Sequence, residues 1–276
     1  MIRVNTYRKY SMKKIFILLS AVALCTSCDW FVFDNQESYD AQIEGKFIDS
    51  KTGQNIQFGN NTKTFQIYQE GYIAPGKDEC YGEQSQNLYV KFNGDYRSNL
   101  VWAGNYRLQT IQSNFYPVRD EKFTLKKGSN TVNFTVTPYA RVLDPKFSYD
   151  AANQQIVAKF KVELGNPSDI TSVKVNLYAF TDRFVCDAFN KVNDKSASKQ
   201  IDVKDANGTT EITLSFSTDP NKNNGLFKYD FEKYLRIGVL ATGNQVNTSR
   251  RYNFSTTWSV AKGFTGFSEI TNWEED

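Results

Sequence analysis

The chain contains no histidine, and that absence decides more about its chemistry than any residue present. It removes the commonest general base, the commonest metal ligand and every Ser–His or Cys–His nucleophile at once. Zinc and triad chemistry are therefore not expected, and neither is a cofactor. Of the four cysteines, Cys25 and Cys28 lie close together near the start. Cys80 and Cys186 lie far apart, and read either as a disulfide, if their Cα atoms come within about 7 Å, or as two separate, partly buried small hydrophobes. Carboxylates are scattered through turns, and no spacing nominates the pair, about 5–9.5 Å apart in one cleft, that a glycoside hydrolase needs. The expectation is a protein that is not an enzyme, with hydrolysis as the weakest alternative. Asp219–Gly225 places oxygen ligands at alternate positions, but its glycine falls one place late for a calcium loop and Asp230 is not a bidentate glutamate. A turn is the plainer account.

Aromatic residues make up 15% of the chain, with 21 Phe and 16 Tyr. A flat ring offers apolar area to the C–H face of a sugar while neighbouring Asn, Gln and Asp bond its hydroxyls. Candidate contacts are Tyr72, Tyr81 and Tyr116 on predicted loops at 70–86 and 112–119, near Gln84, Gln86 and Asn114. A second set is Phe184, Phe189 and Phe227, beside Asp182, Asp187 and Asn190. The bland reading of the same rings is that they cap a core. Trp102 and Trp258 read as core residues, whereas Trp273 lies in an acidic tail at 266–276.

Ahead of these candidates stands an export signal. Lys13-Lys14, the apolar run 15–24 and the small-residue exit Thr26-Ser27 form a signal peptide over residues 1–27, and Met12 offers a better start than Met1. The run is too short to span a bilayer, which takes about 20 apolar residues. Leu24-Cys25-Thr26-Ser27-Cys28 resembles the lipobox of bacterial lipoproteins, in a variant similar to those of gut Bacteroidetes. That resemblance implies that Cys28 carries diacylglycerol and becomes the first mature residue. Acyl chains contribute about 0.8 kcal/mol per buried methylene, enough to anchor a protein that has no segment in the bilayer. Residues 28–40 are then a tether, with Trp30, Phe31 and Phe33 able to touch lipid or a partner.

Lys and Arg number 33 against 30 Asp and Glu, a formal charge of +3 that leaves no electrostatic footprint of a nucleic-acid binder. The abundance of aromatic, Val and Thr residues favours strands. Residues 28–276 exceed ordinary single-domain size, so two modest β domains are expected. Strands read at 42–49, 64–69, 87–92, 104–111, 122–126 and 130–136, with turns at Ser50–Gly53, Asn93-Gly94 and Lys126–Asn130. A boundary falls at Tyr139, and Arg141–Pro145 reads as a hinge. Seven further strands read at 146–150, 154–163, 171–180, 199–204, 210–217, 233–241 and 249–260, with a long polar loop at 181–198. The only helical candidate is Lys228–Lys233.

Three runs carry a family resemblance: Ile43–Gly53, Tyr89–Tyr96 and Leu100–Tyr106. They are similar to the "G-x-hydrophobic-x-D-x-x-T-G", "D-G-x-F" and "L-x-x-G-x-Y" patterns of the carboxypeptidase-regulatory-like fold, with Asn93 in place of the usual Asp. The expected architecture is all-β, two consecutive β-sandwich domains. Residues 41–139 would form a carboxypeptidase-regulatory-like sandwich and 140–265 an immunoglobulin or fibronectin type III-like one. With the lipobox, the whole chain resembles an uncharacterised family of Bacteroidetes outer-membrane lipoproteins from polysaccharide-utilisation loci. The resemblance implies a cell-surface protein held to the outer membrane by its acyl chains. Its implied partners are a glycan, or an outer-membrane transporter and its lipoprotein lid, the latter as a purely structural docking subunit.

Overall fold

Period-two alternation builds the first sheet. Along β1 (Ala41–Asp49), Ala41, Ile43, Gly45, Phe47 and Asp49 point inward, while Glu44 and Lys46 are exposed. The computed structural model describes residues 38–59, 65–71 and 84–273, with Gln84 described in its backbone only. After β1 come β2 (Phe65–Glu70), β3 (Gln84–Leu88), β4 (Asp95–Val101), β5 (Gly104–Thr110), β6 (Arg119–Leu125), β7 (Gly128–Thr131) and β8 (Phe134–Val136). One sheet pairs β1 antiparallel to β4 and parallel to β7 and β8, and the facing sheet runs β3-β2-β5-β6. Phe47 sits at the centre of the core between them, its ring within 6.2 Å of those of Phe58, Phe65, Tyr96, Phe115 and Phe134.

Gly45 is required by a close approach. A Cβ there would stand 1.8 Å from the Val132 carbonyl oxygen, in the short connection by which the chain passes from β7 to β8 alongside β1. The same oxygen accepts the Tyr96 hydroxyl at 2.5 Å.

The second sandwich comprises β9 (Ala140–Asp150), β10 (Gln155–Leu164), β11 (Ser172–Phe180), β12 (Ser198–Ile201), β13 (Asn207–Ser217), β14 (Lys233–Thr242), β15 (Asn253–Phe254), β16 (Trp258–Val260) and β17 (Phe267–Glu269). Its smaller sheet is β13-β10-β9. The larger runs β12-β11-β14-β16-β17, with β15 also on β14. Strand β14 is buried along nearly its whole length because both of its faces are covered. Leu235, Ile237, Val239 and Ala241 enter the second core, whereas Arg236 on the opposite face contacts the first sandwich. From Tyr39 onward the described residues belong to one compact unit, and the chain is all-β, with no α-helix among the described residues.

Four expectations change. The hinge at Arg141–Pro145 is strand, paired to β10 through Arg141↔Glu163 and Leu143↔Lys161, with a register shift at the Asp144-Pro145 step that absorbs the proline. Lys228–Lys233 is not helical; it is a turn leading into β14. Strand β4 lies where no strand is expected, because only Tyr96 and Val101 are buried along it, too few to show a period. Residues read as the start of an acidic tail instead form β17, which closes the larger sheet against β16.

Candidate functional site

The two sandwiches meet across a joint made of buried polar groups. Asp49 occupies an inward position of β1, where a carboxylate needs a cation. The Arg141 guanidinium supplies it through two bonds of 2.6 Å. Burial works to raise the Asp49 pKa, but Arg141, the Lys51 amide and the Thr52 hydroxyl together hold it below the ordinary carboxylate value. Lys51 adds an ion pair to Glu163 beside it.

On β14, Arg236 is fully buried and donates to the carbonyls of Phe58 at 2.6 Å, Ser255 at 2.8 Å and Phe92 at 3.3 Å, and to Gln57 Oε1 at 3.3 Å. Its plane also lies over the Phe254 and Phe92 rings. Desolvation pushes this guanidinium down to about 9, partly offset by Cys186 and Asp187, so it remains a cation at neutral pH.

Two grooves border this joint. One, of 930 Å³, has a wall of exposed β1 and β4 side chains, in which Glu44 faces Arg97 and Lys46 faces Asp95 across the strand pair. Asn55, Gln57, Asn93 and Asn133 add amides, and the segment Glu269–Trp273 forms the opposite wall. The second, of 630 Å³, is lined by Asp49, Arg141, Asn253 and Trp258, and the two grooves share Asn55, Gln57, Thr256 and Glu269. They form neighbouring parts of one polar cleft, each with one tryptophan. Both volumes lie in the range of small-molecule sites, roughly 300–1,000 Å³.

The tryptophans are held differently. Trp273 stacks on Phe92 with centroids 6.3 Å apart and contacts Phe184 at 5.9 Å, with Arg183 over both Phe184 and Trp273. Trp258 is half-buried against Phe147, and its indole N–H is buried with no acceptor among the described residues. Such an arrangement suits non-covalent recognition: amides and paired charges for hydroxyls, indole faces for the apolar side of a ring. Asp95, the carboxylate on the β4 side, is already engaged by the Asn55 and Asn93 amides.

The nominated residues that are described take different places in the fold. Tyr116 packs on Tyr139 and donates to the Asn166 carbonyl, and burial with the nearby Asp169 charge pushes its hydroxyl up to about 12. Asn114 is buried in the joint, donating to the Gln57 and Tyr252 carbonyls. Phe184 contributes to the ring cluster around Trp273, whereas Asp187 borders a cavity of only 20 Å³. Asn190 ties down its own loop, and Phe227 stacks on Phe216 in the second core. Trp102, expected in the core, is half-buried against Tyr39, and Val101 takes the core position beside it. Tyr72, Tyr81, Cys80, Cys28, Trp30, Phe31 and Phe33 lie outside the described residues, as does the Gln84 side chain. Cys186 is buried. Sequence reasoning missed the cleft amides, whose one visible signal was the Asn and Gln content of 54–57, 93 and 133.

Residues 41–137 match the model of the DUF3823 N-terminal domain, a family described as of unknown function. No curated protein matches the chain. Among solved structures, the chain is similar to a Bacteroides uniformis protein named as a candidate carbohydrate-binding protein. The two share 27% identity over 81% of this chain and 100% of the other, with a TM-score of 0.68. DUF3823 family proteins from Bacteroides ovatus and Parabacteroides merdae share the fold at TM-scores of 0.60 and 0.59. Their identities are 20% and 22%, and each match covers 80% of this chain and 98% of the other.

Proposed function

We propose that the chain is a lipid-anchored protein of the outer-membrane surface, accessory to polysaccharide uptake, that captures glycan in the cleft beside the joint. The observation that carries this reading is the pair of tryptophans, Trp258 and Trp273, bordering adjoining polar grooves that share four lining residues. The carbohydrate-binding description of the Bacteroides uniformis protein, matched over its full length, supports the same ligand class.

Affinity electrophoresis of the full-length protein in detergent against plant and host polysaccharides tests the glycan. At least one polysaccharide should retard it, and Trp273→Ala should weaken that retardation by about tenfold, equivalent to 1.4 kcal/mol. Trp258→Phe, which keeps the ring and removes the N–H, should weaken it less. Retardation by none of the polysaccharides would end the glycan reading, and co-purification with a transporter would then favour docking.

Anchoring is tested separately. Labelling of the expressed protein with a palmitate analogue should be lost in Cys28→Ala and retained in Cys25→Ala, since the lipobox-like run ends on Cys28.

A further inference from the structure

A second cavity lies where β14 begins, enclosed by the 218–231 segment, Gln154 between β9 and β10, and the Ala261–Phe264 turn. Its volume is 330 Å³, and it shares no lining residue with the cleft at the joint. Two of its rings, Tyr229 and Phe231, are 61% and 44% exposed and lie within 11° of parallel, their centroids 6.4 Å apart. As a stacked pair they leave apolar ring area open to water, which costs free energy until something covers it. Inside the cavity Tyr149 stacks on Phe264 at 4.3 Å. Phe264 also holds a left-handed backbone, with φ of 60°, a conformation that is strained for a bulky side chain.

Lys233 fixes the backbone that carries both rings. Only 3% exposed, its ammonium donates to the carbonyls of Tyr229 at 3.0 Å and Phe231 at 2.6 Å and lies 3.6 Å from the centre of the Phe231 ring. Two carbonyls and a ring face thus partner the buried ammonium. No carboxylate among the described residues lies within ion-pair distance of this one. Asp230 acts on it electrostatically from beyond that distance, and burial of a cation so weakly compensated is costly. Lys262 lines the same cavity and Lys228 lies over the Tyr229 ring, against one acidic lining residue, Asp230.

Flat rings select a ligand with an apolar face, and the excess of ammonium groups selects one with negative charge. We propose that this cavity binds an anionic sugar residue, a uronate or a sulfated pyranose, whose C–H face covers Tyr229 and Phe231 while its anion meets the exposed ammonium groups of Lys262 and Lys228.

Calorimetry on the full-length protein in detergent with tetragalacturonate, a chondroitin sulfate tetrasaccharide and neutral cellotetraose tests this site. At least one anionic tetrasaccharide should bind more tightly than the neutral one, and its affinity should fall as salt rises. Tyr229→Ala and Phe231→Ala, at exposed positions, should each weaken that binding by about tenfold, and Trp273→Ala should leave it unchanged. A preference for galacturonate identifies the anion as carboxylate, and a preference for chondroitin identifies it as sulfate. Binding of neither, equal binding of the neutral sugar, or indifference to both ring variants overturns the proposal. Because the two sites share no residue, each reading fails on its own variants.

Discussion

Asp49 shows how a residue in a turn pattern also serves the whole chain. Its carboxylate accepts from Lys51 and Thr52 within the Asp49–Gly53 turn, where Gly53 takes a φ of 70°, and from Arg141 of the second sandwich. The turn was legible in Asp49-x-x-Thr52-Gly53. The salt bridge was not, because Arg141 lies in a stretch that read as a hinge and nothing local marks its partner. Asp49→Asn should cost about 3–5 kcal/mol at neutral pH, since it leaves the buried guanidinium without a counter-charge. The pH dependence has a definite sign. A carboxylate whose folded pKa is depressed contributes fully above its unfolded value, about 3.9, and loses that contribution as pH falls through the lower folded value. Urea midpoints of wild type and Asp49→Asn should therefore differ by a constant amount from pH 7 to about pH 5 and converge below that. A gap that persists unchanged in acid would assign the loss to packing instead.

At the scale of elements, strands with regular burial were readable, and those whose sides are set by distant partners were not. Alternation from Ala41 to Asp49 exposes its period directly, and β14 reads as an unbroken apolar run because both faces are covered. Strand β4, with Asp95, Arg97, Ser98 and Asn99 on its outward or half-buried positions, carries too little apolar periodicity to be seen, although β1 pairs with it throughout. Gly45 was legible as a motif glycine, but its reason lies in the passage of the chain near Val132. Gly45→Ala should force the β7–β8 connection away from β1 at a cost on the order of 1–3 kcal/mol. That should lower the melting temperature by on the order of 5 °C. Gly266→Ala, where an added Cβ meets nothing within 4 Å, should melt close to wild type. Equal melting temperatures for Gly45→Ala and wild type would show that the connection can shift freely.

For the whole molecule, the joint matters most, and it explains why the cleft was invisible in the sequence. Its lining comes from 44–57, 91–97, 131–133, 138–145 and 253–273, segments that meet only because the first sandwich packs on the outer face of the larger sheet. Rings on loops attracted attention instead, and Tyr116 proved to be part of the joint itself. Arg236 is the residue best placed to couple the two cores, since its guanidinium on β14 is shared among the carbonyls of Phe58, Phe92 and Ser255. Arg236→Met keeps the stem and removes the donors, at a cost on the order of 1–3 kcal/mol for each buried acceptor left unpaired. Hydrogen exchange distinguishes coupling from simple stabilisation. In wild type the most protected amides of the two cores should open with the same free energy, as parts of one cooperative unit. In Arg236→Met the cores should separate, with amides of 41–136 and of 140–267 opening at different free energies. A uniform loss of protection across both would show that the joint is held together by the Asp49–Arg141 pair and its neighbours rather than by Arg236.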